Sequence, residues 1–571
     1  MVKKIKIKSL NTLLKFSCRL SHEKFITATH HIAETQKGIL LDILNKNTYT
    51  ELGFEHNFKD IDTIKQFKTD VPLRIFKDYI PYLKSIVNGK ETVLTHESVD
   101  AFIVSKGSSH KSKYIPRTNG LATDIRNAIN PWVHSLYLHE KEFLKGTFYW
   151  ALNPKTEIEK SEKIPIGYDN DDQFLNPFQH QLLRMLHPVP HEVVLIEDIE
   201  NFRYVTLLFL LCDSDLSLIS IKHPKSLTFL MESIEPLRDA IVADMKTGTI
   251  TTVTPMKISV KKRLLKKWKR NSMRAAKLNE LFNKWFDPTT ASDENTSLYE
   301  KIWPKLKLIS CWADGDAAIY IPKLNQYFPN VMIQPKGLQT IEGIVSFPIN
   351  KKNESVLAVC SHFYEFLDIN NKESKSTRLA HQLEKGKAYS VIITTHGGLY
   401  RYQLNDIIEV TGFMNQCPII NFIAKNNRLV DLFGEKLYEG HVAEIFDSVV
   451  HKYRINPSFM MLAPAQDPET RLYFYTCYIA LDKPESLTST RWQDIQADME
   501  GKLSTNSHYR FCIEAGQLRP LRIFLIQDSI PAKDLYIQFI KQKNKQQDEV
   551  QLTALNNNTN LMQIFKGNLV G

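Results

Sequence analysis

The stretch from Ile103 to Thr118, IVSKGSSHKSKYIPRT, combines residue types that suit phosphate binding. Its small, hydroxyl-bearing and cationic candidates are Ser105, Gly107, Ser108, Ser109 and Lys113. Backbone N–H groups in tight turns, hydroxyls and ammonium groups can together replace water around a polyphosphate. Loops of this composition also occur as solvated turns, so the stretch alone is a weak signal for nucleotide binding.

Two acidic residues further along the chain lie close to glycine turns. Glu342 is flanked by Ile341 and Gly343. A carboxylate there could hold a magnesium ion on a phosphate, or it could be a solvated turn residue. Asp406 follows the turn at Gly397-Gly398. Its short carboxylate could accept both ribose hydroxyls of a nucleotide, or cap the turn.

Helical and strand patterns around these residues predict how they are positioned. Apolar spacing predicts a helix from Ala122 to Leu138, which places the hydroxyl-rich loop just before a helix N-terminus, where an anion is favoured. A strand from Leu306 to Trp312, a helix from Ala317 to Phe328 and a strand at Val331–Ile333 indicate a parallel α/β unit. Ligands in such sheets collect at the carboxyl ends of the strands, near Glu342.

Other segments add layers to this arrangement. Two helices are predicted between residues 9 and 46, and strands at Thr147–Leu152, Val193–Ile196 and Val205–Leu211. Alternating patterns predict a small antiparallel sheet or barrel, at Leu357–Leu367, Ala388–Thr395 and Asp406–Phe413.

The segment from Lys257 to Arg274 is strongly basic. It could touch an acidic membrane or partner. Pro255 and Asn271 bound it, which favours an ordinary helix with an exposed cationic face.

The last quarter of the chain reads as a separate α/β segment. Lys425-Asn426-Asn427-Arg428 is a polar break of hinge composition. A helix near Val442–Tyr453 and strands near residues 460–462, 472–479 and 523–526 follow it. The tail from Lys541 to Asn560 is rich in Lys, Gln and Asn and is predicted to be an exposed, partly mobile loop.

Composition limits the class of protein. The 571 residues are too many for a single core. A formal net charge of +10 favours anionic ligands but is too diffuse to indicate nucleic acid. The seven cysteines show no metal or disulfide spacing, and no apolar run approaches a membrane span. We therefore expect a cytoplasmic protein with no integral membrane segment.

Four motifs in order make the chain resemble a known family: Ser105–Pro116, Gly337–Gly343, Gly397–Asp406 and Phe433–Glu439. The chain is similar to the auxin-responsive acyl acid amido synthetases, the indole-acetic acid- and jasmonate-amido synthetase-like branch of the luciferase-like acyl-adenylate-forming superfamily, as a divergent bacterial-type member. Segments near the start, LLDILNKNTYTELGFEH and FKTDVPLRIFKDYIPYL, follow the same layout, and the resemblance covers residues 20 to 555 or so.

The resemblance implies an α/β fold and a domain organisation. A large N-terminal adenylate-forming domain, residues 1–424, would contain α/β sheets and a small β-barrel-like subdomain. A smaller, mobile C-terminal α/β lid domain would span residues 425–571. Closure of such a lid would exclude water from a reactive adenylate.

The resemblance also implies an activity: a ligase that uses ATP and Mg²⁺ to activate a carboxylic acid as an acyl-adenylate, then joins it to an amine, usually of an amino acid. Lys113, Glu342 and Lys425 would be catalytic, with Glu342 on the metal and Lys425 near the hinge. Trp312 and the helix after the loop would shape the acyl pocket. The nucleotide would contact Ser105, Gly107, Ser108, Ser109, Thr340 and Asp406.

Several positions depart from the family pattern. His110 stands where a glycine is usual, Ile341 beside Glu342 replaces a hydroxyl residue, Gln403 replaces an arginine, and Gln551 stands where a lysine is expected. Arg401 is two positions from Gln403, so on a strand it would share its face and could compensate. These departures leave an alternative open, namely an adenylation-impaired member that acts as a binding or partner protein. Transfer of the acyl group to a thiol is a third possibility.

Overall fold

The computed structural model describes residues 2–106, 112–154, 164–167, 174–252, 254–286, 297–349, 354–369, 376–425, 429–430, 432–433, 435–467, 469–481, 488–528, 530–543, 552–559 and 561–570. The chain divides into two compact units. The first contains Met1–Ser105, Lys113–Leu404 and Ile408–Phe422, and the second contains Lys106–Ser112, Asn405–Ile407 and Ile423–Gly571.

The helices of the first unit are α1 Val2–Ala28, α2 Ile32–Lys46, α3 Glu51–Glu55, α4 Ile64–Asp70, α5 Phe76–Val87, α6 Asn119–His139, α7 Pro177–Leu186, α8 Ile199–Cys212, α9 Pro224–Glu232, α10 Ile234–Thr247, α11 Ile258–Lys267, α12 Ser272–Trp285, α13 Leu298–Ile302 and α14 Ile321–Tyr327. Those of the second unit are α15 Glu439–Tyr453, α16 Ser489–Leu503, α17 Ser507–Glu514 and α18 Ala532–Lys543.

The strands, in chain order, are β1 Ala101–Lys106, β2 Ser112–Arg117, β3 Thr147–Trp150, β4 Ile166–Gly167, β5 Leu216–Ser220, β6 Leu308–Cys311, β7 Met332–Pro335, β8 Ser346–Pro348, β9 Ser355–Leu357, β10 Phe363–Asp368, β11 Arg378–Leu379, β12 Ala388–Thr394, β13 Tyr402–Met414, β14 Cys417–Lys425, β15 Leu429–Val430, β16 Leu437–Tyr438, β17 Pro457–Gln466, β18 Tyr473–Leu481, β19 Leu518–Ile526 and β20 Gly567–Val570.

The predicted parallel unit is a four-stranded parallel sheet in the order β3-β5-β6-β7. Its β5 and β6 strands are buried along their whole length, as expected for a parallel sheet covered on both faces. The strands run the same way, so the residues that follow them gather at one edge: Ala151, Ile221, Trp312 and Lys336. This edge is where a ligand site is expected in such sheets.

Two predicted strands in the first unit are wrong. Val205–Leu211 lies inside α8, and Val193–Ile196 falls largely in a 3₁₀ turn, His191–Leu195. Asp198 begins α8 by accepting a hydrogen bond from Asn201 N–H (2.8 Å). From Tyr204 to Leu211 every residue of the helix is buried. A helix that is apolar on every face shows no 3.6-residue period, so its sequence resembles that of a buried strand.

The basic segment is two helices rather than one. The chain breaks after α11 at Trp268, and Asn271 caps α12 by accepting from Arg274 N–H (3.1 Å), so the residue expected to end a helix instead begins one. Val260 and Leu264 are buried, while Lys262, Arg263, Lys266 and Lys267 are exposed. The expected exposed cationic face is confirmed.

The antiparallel prediction is also confirmed. A seven-stranded sheet has the order β11-β10-β12-β13-β14-β9-β8, with antiparallel pairing of β10 with β12, β9 with β14 and β8 with β9. The mixed α/β architecture, with a large N-terminal and a smaller C-terminal part, agrees with the predicted fold class.

The second unit has its own sheet, β17-β18-β19-β20, in which β18 and β19 are parallel and the outer pairs antiparallel. Its core includes Leu462, Cys477, Ile495 and Ile523. The predicted tail loop, Lys541–Asn560, is not all loop: α18 extends to Lys543, and Leu555 is buried and forms a bridge with Leu462. Strand β20 lies beyond this tail and pairs with β19 at the edge of the sheet. Tail residues 544–551 lie outside the described part of the chain.

Within the described ranges, no helix combines the length and the apolar character needed to cross a membrane.

Candidate active site

The hydroxyl-rich stretch forms the adjacent strands β1 and β2, and α6 follows it. Ser105 lies on β1 and Lys113 is the second residue of β2. Gly107, Ser108, Ser109 and His110 lie outside the described residues, so their predicted contacts with a nucleotide stay predictions. The predicted helix after the loop is present, and Thr118 caps it by accepting from Leu121 N–H (3.1 Å).

Glu342, Lys113 and Tyr402 meet in the first unit. Lys113 Nζ lies 3.1 Å from Glu342 Oε1 and 3.0 Å from the hydroxyl of Tyr402, which in turn lies 3.1 Å from the same carboxylate oxygen. The Glu342 side chain is 5% exposed and that of Lys113 is 24% exposed. The fold thus brings together two sequence-predicted residues that are far apart in the chain.

Tyr402 was not among the predicted site residues, although it belongs to the Gly397–Asp406 motif. It is fully buried at the start of β13, and its ring also faces Lys113 Nζ at 5.6 Å from the ring centroid. The sequence feature that could have identified Tyr402 as a site residue is its position beside the glycine turn of this motif. A phenol hydroxyl can donate to a carboxylate, so Tyr402 helps to orient the Glu342 side chain at this place.

A tight turn presents Glu342. Thr340 N–H donates to Gly343 O (3.0 Å) and Gly343 N–H donates back to Thr340 O (3.3 Å), while the Thr340 hydroxyl donates to Gly343 O (3.2 Å). A Cβ on Gly343 would lie 2.2 Å from Nε2 of the buried His362, so only glycine fits. The Thr340 hydroxyl therefore stabilises the turn that carries Glu342.

A chain of acid–imidazole contacts lies behind this turn. Asp124 Oδ2 lies 3.2 Å from His362 Nδ1, Asp124 Oδ1 lies 2.7 Å from His396 Nδ1, and His396 Nε2 lies 2.9 Å from Asp42 Oδ2. Burial is the largest influence on Asp124 and raises its pKa, but the hydrogen bonds and charges of the two histidines outweigh it and hold the pKa below its ordinary value. No sequence pattern links these four residues.

Asp406 and Lys425, both in the second unit, form an ion pair. Lys425 Nζ lies 2.5 Å from Asp406 Oδ1; the Asp406 side chain is 1% exposed and that of Lys425 37%. Asp406 is part of β13, and Lys425 is the last residue of β14. The residue predicted for the ribose and the one predicted for the hinge are therefore in contact.

Arg401 does not compensate for Gln403. Its guanidinium donates to both carboxylate oxygens of Glu365 (2.9 Å each) and to the carbonyls of Lys68 and Val71 (2.8 Å each). Its backbone has φ +50°, so this side chain does not follow the regular alternation of a strand. Arg401 is committed to the interior of the first unit.

Trp312 lines a cavity of about 380 Å³ at the carboxyl edge of the parallel sheet. Much of its wall is aromatic, formed by Tyr149, Trp150, Phe202, Phe229 and Trp312. The volume lies in the usual range for small-molecule sites. The family resemblance implied that Trp312 shapes an acyl pocket. Lys336, which follows β7 at the same edge of the sheet, is 2% exposed and is not among the predicted residues.

The donor set around Glu342 is compatible with magnesium. Mg²⁺ is commonly held by one or two carboxylates together with substrate phosphates. Glu342 would supply the carboxylate, and the cation Lys113 stands beside it where phosphate oxygens would also be attracted.

Comparisons with known proteins agree with this picture. Residues 21–333 match the GH3 family N-terminal domain and residues 355–425 the GH3 family central domain. The chain is 25% identical over 515 residues to indole-3-acetic acid-amido synthetase GH3.3 of Arabidopsis thaliana, covering 85% of this chain and 81% of that protein. It is 23% identical over 429 residues to the 4-substituted benzoates-glutamate ligase GH3.12 of the same plant, covering 72% of each.

A solved structure shares the fold. The AtGH3.15 acyl acid amido synthetase in complex with 2,4-DB matches 96% of this chain and 95% of its own, with a TM-score of 0.72 at 19% identity. The two family domains together span most of the first unit and include Lys113 and Asp406. The chain therefore belongs to the GH3 family.

Proposed function

We propose that this protein is an ATP-dependent, AMP-forming acyl acid amido synthetase that joins a carboxylic acid to an amine, most suitably that of an amino acid. In the first step the acid attacks the α-phosphorus of ATP and pyrophosphate leaves. In the second the amine attacks the acyl carbon and AMP leaves, so that an amide forms. Family membership and the names of the relatives support this class of reaction.

The observation that carries the proposal is the buried contact of Glu342 with Lys113. Phosphoryl and adenylyl transfer need positive charge where phosphate oxygens gather negative charge. Lys113 would bind the phosphates of ATP, together with the loop of Ser105, Gly107, Ser108 and Ser109. Glu342 would hold Mg²⁺, which when bound offsets the charge of the phosphates.

The remaining predicted residues receive roles that the geometry supports. Asp406 would accept the ribose hydroxyls, exchanging its contact with Lys425 for them, and Lys425 would then be released to balance charge near the nucleotide. Thr340 would keep the Glu342 turn in place. Trp312 would form part of the wall of the acyl pocket.

The test is acid-dependent exchange of radiolabelled pyrophosphate into ATP, over a panel of aryl and aliphatic acids. We expect Glu342→Gln and Asp406→Asn each to lower the exchange rate by about 10²-fold or more, because both carboxylates lose charge without losing volume. Asp239→Asn, an exposed carboxylate on α10, is the matched control and should leave the rate unchanged. Wild-type rates in either site variant would refute the assigned roles.

Mass spectrometry of the products identifies the second step. With amino acids present we expect the amide and AMP. A thioester formed with coenzyme A in place of an amide would favour the thiol acceptor instead. Absence of exchange with every acid, together with no ATP-induced rise in melting temperature, would leave only the binding-protein alternative.

A further inference from the structure

We propose that the outer face of α1 is a docking surface for a lipid bilayer that carries anionic headgroups. This role is independent of the proposed function. Helix α1, Val2–Ala28, is the longest helix in the described part of the chain. Large apolar side chains occur on two opposite faces of it, and the rest of the protein covers only one of these faces.

The covered face holds α1 against the first unit. Leu10 and Leu14 are buried there, and the helix packs on α6 and α7. Asn11 adds polar contacts, because its side-chain amide donates to Gly146 O at 2.9 Å and its side-chain oxygen accepts from the Tyr137 hydroxyl at 2.8 Å. Helix α1 is therefore fixed in place, and its outer face lies along the surface of the first unit.

An apolar stripe runs along the outer face of α1 and is open to solvent. Its four large side chains are between 46% and 78% exposed: Ile5, Leu13, Phe16 and Leu20. At about 100° per residue, these positions fall within about 80° of the helix circumference. Leu13, Phe16 and Leu20 are direct neighbours, at spacings of three and four residues. Exposed apolar residues that occur singly are ordinary, whereas aligned ones mark an interaction surface.

Cations border the stripe on both edges. Lys6 and Lys24 follow it on one edge of the helix, Lys8 and Arg19 follow it on the other, and all four are exposed. Arg19 pairs with Glu23 at 2.7 Å, while the three lysines have no carboxylate partner among the described residues. In residues 1–28 this glutamate is the one acidic residue, against six lysines and one arginine. The outer face is therefore apolar along its middle and positive along its edges.

This combination fits a bilayer with anionic headgroups. Lysine side chains can extend to lipid phosphates while the apolar stripe lies among the acyl chains beneath them. A second copy of the chain would bring the same cations against each other, which is unfavourable. A nucleic acid would attract the lysines but would leave Phe16 and Leu20 without an apolar environment.

Co-sedimentation of the full chain with vesicles tests this docking. One set of vesicles is pure phosphatidylcholine, and the other contains phosphatidylcholine and phosphatidylglycerol in equal parts. We expect the partition coefficient to be at least about tenfold higher for the vesicles with phosphatidylglycerol and to fall as salt is added, because the lysines attract the anionic headgroups. No binding, or equal binding to both sets, would overturn the inference and favour an acidic protein as the partner.

Substitution of the stripe tests its part in binding. Phe16→Ser removes a side chain that is 70% exposed and should lower the partition coefficient at least about fivefold. Phe511→Ser, at a side chain 65% exposed on α17, is the matched control and should bind as the wild type does. Both positions are exposed, so neither melting temperature should change. Wild-type binding by Phe16→Ser would contradict the docking of this face.

Charge reversal separates this face from the net charge of the whole chain, which is +10. Lys6→Glu combined with Lys8→Glu should lower the partition coefficient about tenfold or more. Lys262→Glu combined with Lys266→Glu, at exposed positions of α11, changes the net charge equally and should lower it less than about threefold. Equal losses from the two pairs would show that overall charge, rather than α1, drives the binding.

Sedimentation velocity without vesicles checks the remaining occupant. We expect the wild type and Phe16→Ser to sediment alike, because the cations of α1 oppose self-association. A wild-type dimer that Phe16→Ser dissociates would assign the outer face of α1 to a second copy of the chain and overturn the docking to a bilayer.

Discussion

Arg401 and Glu365 form a buried pair whose partners are both almost inaccessible to solvent, 6% and 1% exposed. The guanidinium donates four hydrogen bonds, two to the carboxylate of Glu365 and two to the backbone carbonyls of Lys68 and Val71, near the end of α4. The pair therefore joins the seven-stranded sheet to the helical layer at the start of the chain. Its role is structural.

We predict that Arg401→Ala lowers the free energy of unfolding by about 3–5 kcal/mol, because it leaves the Glu365 carboxylate buried without its partner. Urea denaturation followed by circular dichroism measures this. Arg378→Ala removes an ion pair with Glu384 whose side chains are 38% and 47% exposed, and it should cost less than about 1 kcal/mol. Equal effects of the two variants would contradict the structural role of Arg401.

Gly343 offers a second prediction for a single residue. In Gly343→Ala the new methyl group would meet His362, so the turn that presents Glu342 has to move. We expect pyrophosphate exchange to fall at least about tenfold, since small misplacements of a catalytic group are costly. Gly38→Ala on α2, where nothing lies within 4 Å of the added Cβ, should retain the wild-type rate. Full activity in Gly343→Ala would show that the turn tolerates displacement.

At the scale of elements, the acid–imidazole chain connects parts of the first unit that are remote in sequence. Asp42 lies on α2 and Asp124 on α6, while His362 precedes β10 and His396 follows β12. His396 N–H also donates to Asp124 Oδ2 at 3.0 Å. The chain of contacts thus fixes two helices against the antiparallel sheet beside the Glu342 turn.

The charge of His396 makes this connection sensitive to pH. Burial is the largest influence and lowers its pKa, but the contacts with Asp124 and Asp42 outweigh it and raise the pKa above 6.5. The folded state therefore binds the proton more tightly than the unfolded state. The resulting stability is fully present below pH 6.5 and is lost as the pH rises through the folded pKa.

We predict that the urea concentration at the unfolding midpoint of the wild type decreases as the pH is raised from 6 to 8.5. The decrease should be smaller in Asp42→Asn, because this variant removes one of the two carboxylates that contact His396. Lys46→Met is the control, because it removes the ion pair of Lys46 with Asp42 at 2.7 Å and leaves His396 in place. The unfolding midpoint of Lys46→Met should depend on pH at least as strongly as that of the wild type. An unchanged slope in Asp42→Asn would mean that His396 does not carry the effect.

At the scale of the whole molecule, the second unit has the features of an independently folding domain. Helices α15, α16 and α18 pack on the faces of its sheet. Its core contains fully buried side chains such as Leu462, Ile495 and Leu521. The predicted boundary between residues 424 and 425 stays a prediction, which expression of this unit alone can test.

We predict that the fragment Ile423–Gly571 folds by itself, with native-like circular dichroism and one cooperative thermal transition. Ile495→Asp should abolish the transition, because it buries a charge in the core. Leu552→Asp, at a side chain 37% exposed, should change the melting temperature little. A fragment with no cooperative transition would show that the unit depends on the rest of the chain.

The sequence by itself determined the family, the α/β class and much of the local structure. Apolar residues at helical or alternating spacing are enough to predict α1, α2, α6 and the antiparallel strands, because local periodicity reflects which face is buried. Local pattern gave a wrong prediction at α8, because burial on all sides removes the helical period. It was also wrong at Asn271, which was predicted to end a helix but caps the beginning of α12.

Only the tertiary structure decided which polar groups meet. Lys113, Glu342 and Tyr402 are brought together by three different parts of the chain. The partner of Arg401 was likewise decided by the tertiary structure. A regular strand would place Arg401 on the face of Gln403, where it could compensate, but its backbone has φ +50° and its guanidinium donates to Glu365. Contacts between distant segments depend on how sheets and helices pack, and local sequence spacing carries no information about that packing.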